Sequence, residues 1–235
     1  MGWFDRSVDF LLGGPRVGGA LADRLSAWQR RPRPPRTRAH AEGRYVVMDC
    51  ETTGLDLARD RVISVGAVAV DGGRIALADA FGAVLRQSQA SADANILIHG
   101  IGGEAQRGGA DPAEALIAFL EFAGRDPLIA FRAEFDRPMM QRACREILGV
   151  EPKLVWIDLA WLLPALFRGT GCDSLDDWLA HTGVPPSARH DAVGDAFATA
   201  QLALVALDAA ERVGMRTSGD LVAMQKAQTW LGTKR

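Results

Sequence analysis

The sequence predicts an α/β protein: a mixed sheet with helices packed on it. Three apolar runs of strand length come first, YVVMDC (45–50), RVISVGAVAV (61–70) and RIALADAFGAVL (74–85). Gly72-Gly73 between the last two marks a tight hairpin, so these strands run antiparallel. Beyond residue 111, short apolar strands alternate with helical patterns, the order that parallel strands require.

Element by element, residues 3–29 repeat apolar side chains at helical spacing: Trp3, Phe4, Val8, Leu11 and Leu12, then Leu21, Leu25 and Trp28. Gly13-Gly14-Pro15 divides them into two helical pieces. RRPRPPRTRAH (30–40) has no composition for a core and reads as an extended linker. A boundary near residue 42 then gives an N-terminal helical extension with its linker (1–41), a main domain (42–213) and a C-terminal helical tail (214–235). Within the main domain, Asp111 and Pro112 have the chemistry of an N-cap and a first helical position. PLIAF (127–131) is a short strand, and residues 135–148 a helix with Met139, Met140, Ala143, Ile147 and Leu148 on one side. LVWI (154–157) is the last strand, followed by helices at 158–167, 174–182, 192–212 and 218–231.

With 235 residues, 48% of them hydrophobic and 24% charged, the chain has the composition of a soluble globular protein. It lacks a run of about 20 apolar residues, so no membrane association is expected. Cys50, Cys144 and Cys172 fit neither a disulfide framework nor a zinc pattern, and the N-terminus has no signal-peptide pattern; a cytoplasmic setting is expected. Residues 1–44 hold nine arginines against four acids, and the remainder carries an excess of acids. Bulk charge therefore excludes a general nucleic-acid binder for the main domain, but not an enzyme that grips a strand end beside bound metal.

Asp49 and Glu51 lie two apart at the end of an apolar strand, so their carboxylates leave the same face, while Cys50 points to the other as a core filler. Thr52-Thr53-Gly54 then turns the chain. Asp136 follows Phe135 at a helix start, where an acid either complements the helix dipole or reaches back to the sheet as a metal ligand. His190 precedes Asp191, a natural N-cap, so His190 falls on a loop and Asp195 in the first turn of the following helix. A histidine there suits a general base. Asp158 also lies near a strand end, but its place before a helix favours a capping role. Four carboxylates without a cysteine or histidine cluster suit hard divalent cations, and a pair of such ions is the usual device for phosphodiester hydrolysis.

DCETTGL, FRAEFD and HDAVGD, in that order over roughly residues 45–210, resemble the three motifs of the DEDDh exonuclease family. That family has the ribonuclease H-like fold and includes the proofreading epsilon subunits of bacterial replicases and ribonuclease T. NILIHGI (95–101) resembles its H-G-I segment. The resemblance implies a five-stranded mixed sheet and removal of 5′-mononucleotides from a 3′ end. It implies two Mg²⁺ or Mn²⁺ ions held by Asp49, Glu51, Asp136 and Asp195, with His190 deprotonating the attacking water. Thr52, Thr53, Leu55 and His99 fall where family members meet the terminal nucleotide. The second motif usually reads H-N-A-x-F-D; here Phe131 and Arg132 replace His and Asn. The expected substrate is a single-stranded or frayed 3′ end of DNA, with RNA as the alternative and a non-catalytic adaptor as a third reading. The N-terminal region is the expected contact for a polymerase or other protein partner.

Overall fold

The structure, a computed structural model, describes residues 16–185 and 191–232. The first helical piece expected before Gly13, like His190, lies outside the described residues. Helix α1 (Gly19–Arg30) and a 3₁₀ turn (His40–Glu42) precede strands β1 (Arg44–Thr52), β2 (Val62–Asp71) and β3 (Arg74–Val84). Helices α2 (Asp93–His99), α3 (Gly103–Gly108) and α4 (Pro112–Ala123) follow, then β4 (Leu128–Ala130) and α5 (Ala133–Ala143), which runs into a π-helical turn (Cys144–Leu148). The chain continues through β5 (Trp156–Asp158), α6 (Leu159–Leu166), α7 (Leu175–Thr182), α8 (Ala192–Arg212) and α9 (Ser218–Gly232). The sheet order is β3-β2-β1-β4-β5. The first three strands are antiparallel, and β4 and β5 run parallel to β1. This is the mixed five-stranded sheet expected. Gly72 and Gly73, at φ 55° and 73°, supply the two positive φ angles of the β2–β3 hairpin.

Alternation along β1 divides the core. Val46, Met48 and Cys50 face α4 and α5, meeting Leu116, Phe119, Met139 and Met140. Tyr45 and Val47 face the other layer, built on α6 to α9 around Leu162, Trp178, Leu202 and Leu221. Helix α8, long and apolar enough to be mistaken for a membrane span, is a core helix packed across β1 and β2.

The boundary expected near residue 42 is not a break in packing. Leu25 and Trp28 of α1 are buried in the same core as Phe119 and Leu120. The Trp28 indole N–H donates to Gly124 O at 2.6 Å, and Arg24 forks onto Glu121 at 2.9 and 2.6 Å. The arginine-proline segment runs without regular structure to a turn at Arg36-Thr37, where the Arg38 N–H donates to Pro35 O at 3.1 Å, and it is pinned to the start of α9. Gly219 N–H donates to Arg36 O at 3.0 Å and His40 N–H to Arg216 O at 2.9 Å. The expected tail likewise belongs to the second layer: Leu221 is buried there, and Gln225 accepts the Asp158 N–H at 3.0 Å.

Helices α2 and α3 were not foreseen. Seven and six residues long, they are too short to show a helical period.

Candidate metal centre

β1 carries Asp49 and Glu51 to its carboxyl end on the face that α8 covers. Asp49 pairs across the sheet with Gly66, and Gly66 with Gly82. A Cβ built on Gly66 would lie 2.1 Å from the Ala192 carbonyl carbon, and one on Gly82 would lie 2.8 Å from Val193 Cγ2. The two glycines therefore let the first turn of α8 settle onto the strands. Asp191 caps that turn, accepting the Gly194 N–H at 2.9 Å. Asp195 follows, buried, and its carboxylate meets those of Asp49 and Glu51: one oxygen from each lies within 4.8 Å of the others. The strand period made the first two acids legible. Gly66 escaped sequence reading, because the reason for it arrives with a helix 126 residues later.

Asp136 is not one of that trio. It lies buried in the first turn of α5, and its Oδ1 accepts both the Cys50 N–H (3.2 Å) and the Cys50 S–H (3.0 Å). β4 pairs with β1 only at Val46 and Val47, so on that edge no strand reaches the Cys50 amide, and Asp136 satisfies it. Burial raises the Asp136 carboxyl to about 6. Burial also pushes the Cys50 thiol up, helped by the Asp136 and Asp49 charges, so the thiol stays protonated and donates. Cys50 is thus more than a filler.

Asp158 caps α6, accepting the Ala160 N–H at 2.9 Å; it also takes the Arg132 N–H at 2.9 Å. Burial raises its carboxyl to about 6. Arg132 is the one non-glycine residue with positive φ among the described residues (62°), a conformation that asparagine tolerates better. This gives the unusual second motif a backbone consequence.

The remaining expected site residues surround the turn after β1. The Thr52 hydroxyl donates to Gly54 O at 2.7 Å and the Thr53 hydroxyl to Asp60 Oδ1 at 2.8 Å. Asp60 closes the loop by accepting the Asp56 N–H at 2.8 Å. Leu55 stands out of this loop, 83% exposed. The Asn95 amide donates to Thr53 O, docking α2 on the turn. His99 is buried: Nδ1 accepts the Ile101 N–H at 3.0 Å and Nε2 faces Ser91 Oγ at 3.2 Å. The first contact fixes the proton on Nε2. Gln106, fully buried, ties Ser91 to Ile101 O, so His99 is set in a structural network that shapes the 91–106 segment. Trp156 and Trp178 are buried, while Trp230 is 60% exposed.

An α/β protein with carboxylates converging at the end of its central strand is a natural holder of hard cations. The chain belongs to the exonuclease family, whose model matches residues 46–203. DNA polymerase III PolC-type of Thermotoga maritima is 30% identical over 171 residues, covering 73% of this chain and 12% of that protein. The DNA polymerase III subunit epsilon-like protein of Rhodobacter capsulatus is 31% identical over 179 residues, covering 74% of this chain and 25% of that one. The chain thus spans a quarter or less of these curated relatives. E. coli exonuclease I in complex with a dT13 oligonucleotide has the same fold, with a TM-score of 0.63 at 18% identity over 73% of this chain and 42% of that chain. Exonuclease X in complex with 5′ overhanging duplex DNA gives 0.60 at 19%, over 77% of this chain and 99% of that one.

Proposed function

We propose that the protein is a metal-dependent 3′–5′ exonuclease that removes 5′-mononucleotides from single-stranded or frayed DNA ends. The observation that carries this is the convergence of Asp49, Glu51 and Asp195 at the carboxyl end of β1 in a chain of the exonuclease family. The donor set fits Mg²⁺ or Mn²⁺: every ligand atom of the trio is a carboxylate oxygen. Asp49, Glu51 and Asp195 would hold the ions, with Asp136 as the fourth ligand once its carboxylate turns from Cys50. Bound there, a pair of ions supplies charge stabilisation to attacking and leaving oxygens. His190, one residue before the Asp191 cap in the sequence, takes the proton from the attacking water. Thr52, Thr53 and Leu55 meet the terminal nucleotide. DNA is favoured over RNA because the named relatives are DNA polymerase III proteins.

The test is incubation with matched end-labelled DNA and RNA oligonucleotides in Mg²⁺, Mn²⁺ or EDTA. Stepwise shortening of DNA from a free 3′-hydroxyl, stopped by EDTA, is expected. Cleavage of a closed circular strand, or activity that persists in EDTA, would overturn the reading; faster cleavage of RNA would overturn the substrate.

A further inference from the structure

At the opposite end of β1 from the acids lies a cavity of about 210 Å³ whose polar wall is formed by Arg33, Arg36, Arg125 and Lys153. Pro127 and Val155, just ahead of β4 and β5, floor it, which places it at the amino ends of the parallel strands. Among the described residues no acid lines it, and none of the four cations is in an ion pair. Several arginines elsewhere are paired: Arg24 with Glu121, Arg44 with Asp79 and Asp126, Arg86 with Asp111. Arg125 is fixed, its guanidinium carbon 4.5 Å from the centre of the Trp28 ring, and its buried Nε has no hydrogen-bond partner. The charge of Arg33, after burial, disfavours the Arg125 cation, so the group of like charges has an electrostatic demand for an anion. In a chain of net charge −2 this is a local exception, and Arg33 and Arg36 come from the same segment that α9 holds in place.

We infer that this cavity holds backbone phosphates of the same strand whose 3′ end is cut at Asp49. The inference rests on the proposed exonuclease function. Val46, whose amide bonds to Pro127 O at 3.0 Å, lies five residues before Glu51. At roughly 3.3 Å per residue the two sites are about 17 Å apart. At roughly 3.4 Å per stacked nucleotide, a strand must be longer than about five nucleotides to reach both. A trinucleotide engages the acids alone.

The experiment measures binding by fluorescence anisotropy in EDTA, for a strand of about twelve nucleotides and for a trinucleotide, over a series of salt concentrations. The exposed Arg33 and Lys153 are changed together, Arg33→Gln with Lys153→Gln. The longer strand should bind at least about fivefold more weakly, and its salt slope should fall by about 1.4, or 0.7 for each lost single-strand phosphate contact. Trinucleotide affinity should stay the same. Lys153→Gln alone, which leaves the clamp on α9 intact, should lower the slope by about 0.7 and stands in if the double variant does not fold. Unchanged affinity and slope for the longer strand overturn the inference, and so does equal weakening of both ligands. The unsubstituted protein is assayed for cleavage of both strands in Mg²⁺. If neither is cut, the exonuclease reading itself fails; if both are cut and the slope is unmoved, only the phosphate site fails.

Discussion

Two helix starts flank β1, and each offers an acid from its first turn, yet they are built in opposite ways. The start of α8 lies against Gly66 and Gly82, where the missing side chains give it room, and an ordinary Asp191 cap turns it. The start of α5 is entered through Arg132 in a left-handed conformation, with its amide fastened to a buried Asp158 and its own acid, Asp136, bonded to Cys50. One acid is brought close by removing bulk from the sheet. The other is held by strain and by buried charge. The first arrangement delivers a carboxylate into the trio, and the second keeps one beside it. Substitutions at these two starts should therefore fail differently.

The largest effect is expected at the residue both starts serve. Asp49→Ala should bring exonuclease activity below detection while the circular dichroism spectrum and melting temperature change little; activity at the unsubstituted level would remove the acids from the mechanism. His190→Ala should slow turnover by roughly 10²- to 10⁴-fold with strand affinity kept, because a general base contributes about that much. Near-full turnover at neutral pH would remove His190 from the proton transfer.

Gly66→Ala sharpens the contrast. Its Cβ would meet Ala192, so α8 must back away, and a displacement of about 1 Å at the site costs roughly 10²-fold in rate. Overpacking should also lower stability by about 1–3 kcal/mol. A variant with normal turnover would show that α8 does not depend on that close approach.

The α5 start should respond through stability and pH. Asp158 titrates near 6 in the folded protein, above its unfolded value of about 3.9. The unfolded chain releases this proton first, so the residue's contribution falls as pH rises from about 4 to about 6, and its penalty persists above that. Asp158→Asn keeps an acceptor for the Arg132 and Ala160 amides without the buried charge. Denaturant titrations should show a flatter stability profile across that window, and a gain on the order of 1–2 kcal/mol at neutral pH. A profile as steep as that of the unsubstituted protein would assign the pH dependence elsewhere. The smallest effect is expected for Arg132→Asn. It relieves the left-handed strain and gives up only an exposed pair with Asp173, so stability should rise by about 0.5–1 kcal/mol. A lower melting temperature would show that the arginine side chain matters more than its backbone.

Local pattern made much of this legible. The strand period put Asp49 and Glu51 on one face, Asp191 announced the helix that carries Asp195, and glycines marked the β2–β3 hairpin. Features that depend on distant partners stayed hidden. Gly66 gives no signal within its strand until α8 arrives. Cys50 reads as a filler until Asp136 takes its amide. His99 reads by resemblance as a nucleotide contact, and the Ser91 and Ile101 bonds that hold it appear only in the fold. The arginine-proline run suggested a boundary because composition reports what a segment cannot bury itself, not what its neighbours bury with it. Leu25 and Trp28 lie just before that run and belong to the main core.

The position of Asp195 in the chain also bears on biosynthesis. It follows Glu51 by 144 residues, on α8. A nascent chain still short of α8 has two of the three carboxylates and a sheet face with its glycine groove uncovered. The chelating trio closes only when α8 has emerged and docked. Until α8 has been synthesised, the growing polypeptide has no complete cation site, and the apolar face that α8 later covers stays exposed.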